Sequence, residues 1–152
     1  MKKEVWGNAT WYLFHTLAYK LKPEHEDEVK ELYKQIVSIC HNLPCPDCQE
    51  HAVQFLNKVN TSLVTASKEN LINFLWEFHN KVNIRAKTSY FNKDQILDLY
   101  SKANTQRIVM HYIQIMSQNL NNDKMMMLSL HRKLNNNAFK TYIMANHYKY
   151  NP

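Results

Sequence analysis

The sequence predicts an all-α fold, and three observations carry that prediction. The 152-residue chain holds one glycine and four prolines, too few turn formers for a β architecture of many short strands. Apolar residues recur every three to four positions along most of its length, the period of a helix with one buried face. No alternating segment reads as a strand. Hydrophobic residues make up 45% of the chain, enough for a core, so one ordered domain with room for a short appendage is expected.

The first helix is expected from Ala9 to Leu21, with Trp11, Phe14, His15, Leu17, Ala18 and Leu21 on its apolar positions and Pro23 ending it. The only glycine, Gly7, stands just before this start. In a chain that avoids glycine, such a position suggests special backbone geometry or a closely approaching ligand. A second helix is expected from Glu24 to Asn42. There Val29, Leu32, Tyr33, Ile36, Cys40 and Leu43 form one stripe, and Pro44 stops it. Lys20, Lys22, Lys30 and Lys34 alternate with Glu24, Glu26, Asp27, Glu28 and Glu31, the pattern of a solvated helix face.

The third helix, Pro46 to Val59, buries Cys48, Ala52, Val53, Phe55, Leu56 and Val59, and Asn60-Thr61-Ser62 reads as a polar loop. Ser67 is the expected N-cap of a fourth helix from Lys68 to Lys87. Asn92 with Gln95 suggests a capped fifth helix, Lys93 to Ala103, that continues or restarts through Met116. Beyond Gln118 come asparagine clusters around Met125, Met126 and Met127, where the helical period is poor. The expected division is a domain over residues 1–118 and an appendage over 119–152, in which another helix or two is plausible.

The formal net charge is +6, but the basic residues are scattered, so no nucleic-acid stripe is expected. No apolar run of about 18 residues is present, so no membrane span is expected. Met1-Lys2-Lys3-Glu4 is followed by no apolar signal segment. The expected address is cytoplasmic, where three cysteines are too few for a disulfide scaffold and are more often catalytic or metal-binding.

The chemistry concentrates in Leu43-Pro44-Cys45-Pro46-Asp47-Cys48. Pro46 suits the first helical position, which puts Cys45 near the N-cap, where the helix dipole favours a thiolate. Three uses of such a pair compete. Haem attachment needs His after the second Cys, and Gln49 stands there. A zinc site would recruit His51 and possibly His41, but no second Cys/His pair exists. A dithiol–disulfide pair requires an electron acceptor.

Two other segments supply candidates for the acceptor's pocket. Trp11 and His15 are four residues apart and share a helix face, as do His79 and Asn83. Arg85 and Lys87 follow as phosphate partners. In isolation each segment reads better as ordinary structure, the first as an aromatic core face and the second as a satisfied core histidine with exposed basic residues.

Taken in order, the three segments resemble the Erv/ALR family of FAD-linked sulfhydryl oxidases, in its compact viral type. The resemblance rests on W-G-x-x-x-W-x-x-x-H-T-x-A at Trp6 to Ala18, L-P-C-x-x-C at Leu43 to Cys48, and H-N-x-V-N-x-R at His79 to Arg85. It covers roughly the first 105 residues. It implies a four-helix bundle with a short fifth helix, FAD at the bundle's mouth, and a homodimer. Cys45 would meet substrate protein thiols and Cys48 would pass electrons to the flavin, with a lowered pKa. Gly7, Thr10, Trp11 and His15 would border the flavin, with His51 also near the cofactor. His79, Asn80, Val82 and Asn83 would hold the adenosine, with Arg85 and, less securely, Lys87 at the pyrophosphate. Molecular oxygen would be the final acceptor, giving hydrogen peroxide. No metal is expected on this reading; a zinc-stabilised interaction module using Cys45, Cys48 and His51 is the alternative.

The chain departs from the cellular members of that family in lacking a shuttle Cys-x-x-Cys and a late structural disulfide. Phe74 stands where a tryptophan is usual, with Trp76 off that place, and Thr88 where a basic residue is usual. Cys40 is read as a buried thiol on a core stripe. Disulfide formation outside a secretory compartment suits a virus, for which the expected address is the host cytoplasm or the virion.

Overall fold

The computed structural model describes residues 1–118 and 126–152. Asn119, Asn121, Asn122 and Met125 of the C-terminal asparagine- and methionine-rich stretch lie outside the described residues. The α-helices are α1 (Lys3–Lys20), α2 (Val29–Cys40), α3 (Pro46–Asn57), α4 (Thr61–Val64), α5 (Lys68–Arg85), α6 (Lys93–Ser101), α7 (Thr105–Met116) and α8 (Met126–Asn146). Short 3-10 turns span Pro23–Glu28 and His147–Lys149. Among the described residues there is no strand, only an isolated bridge between Leu21 and Tyr150. The all-α expectation holds.

Helix α1 starts six residues before the expected Ala9 and is central, touching α2, α5, α6 and α7. That position explains its weak amphipathy: Trp6, Ala9, Leu13, Phe14, Leu17 and Ala18 are buried around most of its circumference, as befits a helix enclosed by others. Gly7 therefore lies inside a helix, not before one. Its φ is not positive, so backbone geometry does not demand glycine there.

The second helix is shorter than expected, because Pro23 sets a 3-10 turn with a kink at His25 before α2 begins. Asn60-Thr61-Ser62 is not an open loop. The Asn60 side chain accepts from Leu63 N–H and starts the single turn of α4. Ser67 caps α5 by accepting from Asn70 N–H at 3.0 Å. Asn92 and Gln95 make the reciprocal capping box of α6. The restart after Ala103 is a separate helix, because Asn104 caps α7 through Arg107 N–H.

The core runs without a break from α1 through α2, α5 and α7 to Phe139 and Ile143 of α8 and to Tyr150. Helix α8 runs antiparallel to α2: Asn135 Nδ2 donates to Ser38 Oγ at 2.6 Å, and Tyr142 Oη donates to Glu28 Oε1 at 3.1 Å. Glu28 is accordingly not on a solvated face. It is buried, and Lys149 Nζ pairs with its Oε2 at 2.7 Å. Burial without such partners would be costly for a carboxylate.

Phe139 is 1% exposed and meets Tyr112 edge-on at 5.4 Å. Phe139→Ala is expected to lower the unfolding free energy by about 3–5 kcal/mol, measured by urea denaturation. A loss below about 1 kcal/mol would mean that α8 adds little to the core.

Candidate active site

Pro44 and Pro46 bracket Cys45 and hold it in the extended conformation, φ −133 and ψ 116, that a residue before proline prefers. The chain then enters α3 at Pro46, and Cys45 becomes the N-cap: its Sγ accepts from Cys48 N–H at 3.3 Å. Gln49 Nε2 fixes the preceding turn by donating to Leu43 C=O at 2.6 Å. The result is a face-to-face pair of thiols, with Cys48 Sγ donating to Cys45 Sγ at 2.6 Å. The expected placement of this pair at a helix start is correct.

The expected lowering of the Cys48 pKa is not. Burial pushes the Cys48 thiol up to about 11, and the contact with Cys45 adds to the rise, against the pull of the Lys3 and Arg85 cations. In the dithiol form Cys48 is therefore a protonated, poorly solvated thiol. Cys40, wholly buried in α2, is pushed to about 12 by desolvation alone, in line with its reading as a core thiol.

The thiols open onto a cavity of ≈ 480 Å³ between α1, α3 and α5, inside the usual size range of small-molecule sites, about 300–1,000 Å³. Of the site residues picked out from sequence, Gly7, Thr10, Trp11, Cys45, Cys48, His51, Val82 and Arg85 line it, and the buried Cys40 adjoins it as well. Nothing lies within 4 Å of where a Gly7 Cβ would project, so the missing side chain leaves open space on the cavity wall. Thr10 Oγ1 donates to Trp6 C=O at 2.7 Å.

The structure adds lining residues that sequence reasoning missed. Phe55 and Phe78 stack at 4.7 Å and form an apolar wall. Their signal was present only as apolar periodicity. Lys3, Lys81 and Arg85 put three cations at the rim, with Asp47 a carboxylate among the lining residues. Lys81 and Arg85 are four apart on α5 and so share a face. Lys3 gave no sequence signal because it precedes the expected helix start.

His15, His79, Asn80, Asn83 and Lys87 lie behind or beyond that wall. The Trp11 and His79 rings stack at 4.2 Å with an interplanar angle of 6°. His79 Nδ1 and His15 Nε2 share a buried hydrogen bond of 2.9 Å. Burial lowers the His15 pKa to about 3, helped by the nearby His79, and lowers the His79 pKa to about 4. Both rings are neutral at neutral pH, so one donates to the other. Asn80 clamps the chain after α5, accepting from Phe91 N–H at 2.8 Å and donating to Phe91 C=O at 3.0 Å. Asn83 donates to Ser89 C=O at 3.1 Å. Lys87 turns the chain with φ 57, a left-handed conformation rare outside glycine and asparagine.

The arrangement pairs an exchangeable dithiol with a flat-walled apolar cavity and a cationic mouth. The Erv1 / Alr family profile matches residues 8–101, a span holding the cysteine pair and most of the cavity wall. The chain belongs to the Erv1 / Alr family. Its relatives include protein 096R of Invertebrate iridescent virus 3, whose name is that of an FAD-linked sulfhydryl oxidase, 31% identical over 94 residues, or 61% of this chain and 60% of that protein. The FAD-linked sulfhydryl oxidase ERV2 of Saccharomyces cerevisiae is 34% identical over 105 residues, covering 66% of this chain and 50% of its own. A protein of Acanthamoeba polyphaga mimivirus named in the same way is 35% identical over 86 residues, covering 55% of this chain and 59% of its own. The chain thus spans between half and three-fifths of the lengths of these relatives. No solved structure matches it.

As an Erv1 / Alr member the chain can be tested for FAD on its own geometry. The open space at Gly7, the aromatic wall and the Cys48 thiol on the same cavity suit a flat ring system. The Lys81 and Arg85 pair suits a diphosphate. The residues fit the cofactor. They fit zinc poorly: among the described residues no group of three or more His, Cys, Asp or Glu is placed to hold a metal ion. His51 instead turns its Nδ1 to Asp47 C=O at 2.7 Å. Among the described residues no helix is long and apolar enough to cross a membrane.

Proposed function

We propose that the protein is an FAD-dependent thiol oxidase that makes disulfides in partner proteins and delivers the electrons to molecular oxygen as hydrogen peroxide. The observation that carries this reading is the Cys45–Cys48 pair opening directly onto the flat-walled, cation-rimmed cavity. The names of the viral and yeast relatives support it. Cys45 and Cys48 are the reacting residues. Gly7, Thr10 and Trp11 border the flavin, Val82 lies toward the adenosine and Arg85 approaches the pyrophosphate. The Trp11–His79–His15 stack stiffens the wall behind them. Asn80 and Asn83 hold the turn that carries Lys87.

In the oxidised resting form a substrate thiolate attacks Cys45 Sγ, the Cys45–Cys48 bond breaks, and the electron pair leaves on Cys48 Sγ. A second substrate thiolate displaces Cys45 and leaves with its new disulfide. Cys48 is half-buried on the cavity wall, so its electron pair is offered to the cavity. Bound FAD supplies the two-electron acceptor and the passage of those electrons to oxygen. A homodimer, and a place in the host cytoplasm or the virion, complete the reading.

The purified protein is expected to be yellow, to consume oxygen with dithiothreitol and to release peroxide. A colourless protein with stoichiometric zinc would overturn the reading.

A further inference from the structure

We propose that Lys3 is a positioning residue for this chemistry: its ammonium, carried by the first turn of α1 on the cavity that Cys48 also lines, stabilises the thiolate set free when the Cys45–Cys48 disulfide opens. The inference rests on the thiol-oxidase reading and names a residue outside the cysteine and cofactor patterns.

Two observations carry it. Lys3 and Cys48 line one cavity from opposite elements, α1 and α3. Lys3 is also the first residue of α1, where the positive end of the helix dipole disfavours a cation. A residue placed against a local rule is expected to be compensated by function. The one acid of that turn is its neighbour Glu4, and among the described residues no carboxylate forms an ion pair with Lys3.

The charged and titratable groups around Cys48 make the role specific. Asp47 and His51 belong to its own helix, Cys45 caps that helix, Lys81 and Arg85 face it from α5, and Lys3 faces it from α1. Lys3 and Arg85 both pull the thiol downward, while burial and Cys45 push it up. On that reading Lys81 and Arg85 are committed to the cofactor diphosphate, which offsets their charge. Lys3 then remains as the cation on α1, the element opposite. In the step itself a substrate thiolate forms a disulfide with Cys45, the old S–S bond breaks, and the negative charge passes to Cys48. Lys3 holds that charge unprotonated until the electrons move on.

The test uses the full-length protein carrying Cys45→Ser, so that Cys48 is the accessible thiol while Cys40 stays buried. Alkylation by iodoacetamide is followed against pH, with the labelled cysteine located by mass spectrometry. Lys3→Gln is expected to slow Cys48 alkylation at pH 7 by about threefold to tenfold, the effect of a rise of roughly half to one pKa unit. Lys3→Arg is expected to stay within about twofold of Lys3. Equal profiles for Lys3 and Lys3→Gln would overturn the proposal, as would Lys3→Arg behaving like Lys3→Gln. Flavin content, read separately, reports on the oxidase reading, so the two can fail independently.

Discussion

Cys48→Ser abolishes oxygen consumption with every thiol substrate, small or protein, while the protein stays folded. The expected loss is complete rather than partial, because Cys48 is the cavity-lining thiol to which the electron pair passes when Cys45 is attacked. Cys45→Ser also stops turnover but with a different signature. It removes the sulfur whose contact helps raise the Cys48 pKa, so Cys48 is left as a lone thiol beside the flavin. A long-wavelength thiolate–flavin charge-transfer band is then expected in Cys45→Ser and not in Cys48→Ser. Cys40→Ser should turn over normally, since Cys40 is a core thiol held protonated by burial. A Cys40→Ser protein that is folded and yellow but inactive would show that Cys40 carries electrons.

Acid is expected to destabilise the protein above the carboxylate range, and the cause is the buried His15–His79 pair. In the unfolded chain each histidine titrates near pH 6.5. In the folded protein the values are about 3 and about 4. Between these limits the unfolded state binds more protons, so stability is full above about pH 6.5 and falls as the pH drops. The slope is about 1.4 kcal/mol per pH unit for each histidine. Two units of acidification therefore cost up to roughly 5 kcal/mol, against a total of about 5–15 for a typical domain. Protonation also places two N–H groups nose to nose across the 2.9 Å contact. Denaturant unfolding at pH 7, 6, 5 and 4.5 should show the decline, and His15→Gln should flatten it. A curve that is level from pH 7 to 4.5 would contradict this account.

The parts of the fold that were legible in the sequence are those set by local rules. Ser67, Asn92 with Gln95, and Cys45 before Pro46 each cap a helix as their side chains suggest. The parts that were not legible depend on tertiary neighbours. Helix α1 is longer than its apolar pattern indicates because it is enclosed by other helices, which erases the one-sided stripe. Glu28 looked solvent-facing until Lys149 and Tyr142, more than a hundred residues away, supplied its partners.

The site divides in the same way. The cysteine pair was visible from proline placement and spacing, and Trp11, Thr10, Val82 and Arg85 from the resemblance. Phe55, Lys3 and Lys81 were not, because a cavity wall is assembled from three helices and has no sequence period. The sign of the Cys48 shift was also misjudged. That lowering was implied by the resemblance, whereas burial at the cavity wall raises the value in the dithiol form.

Reduction of the bound flavin under anaerobic conditions tests the central claim most directly. The wild-type protein and Cys48→Ser are mixed with excess dithiothreitol without oxygen, and the visible flavin absorbance is followed in time, with dithionite as a reductant that needs no cysteine. The account predicts rapid bleaching of the wild type and none of Cys48→Ser by the dithiol, with both bleached by dithionite. Bleaching of Cys48→Ser by dithiothreitol at the wild-type rate would show that electrons reach the flavin without the Cys45–Cys48 pair.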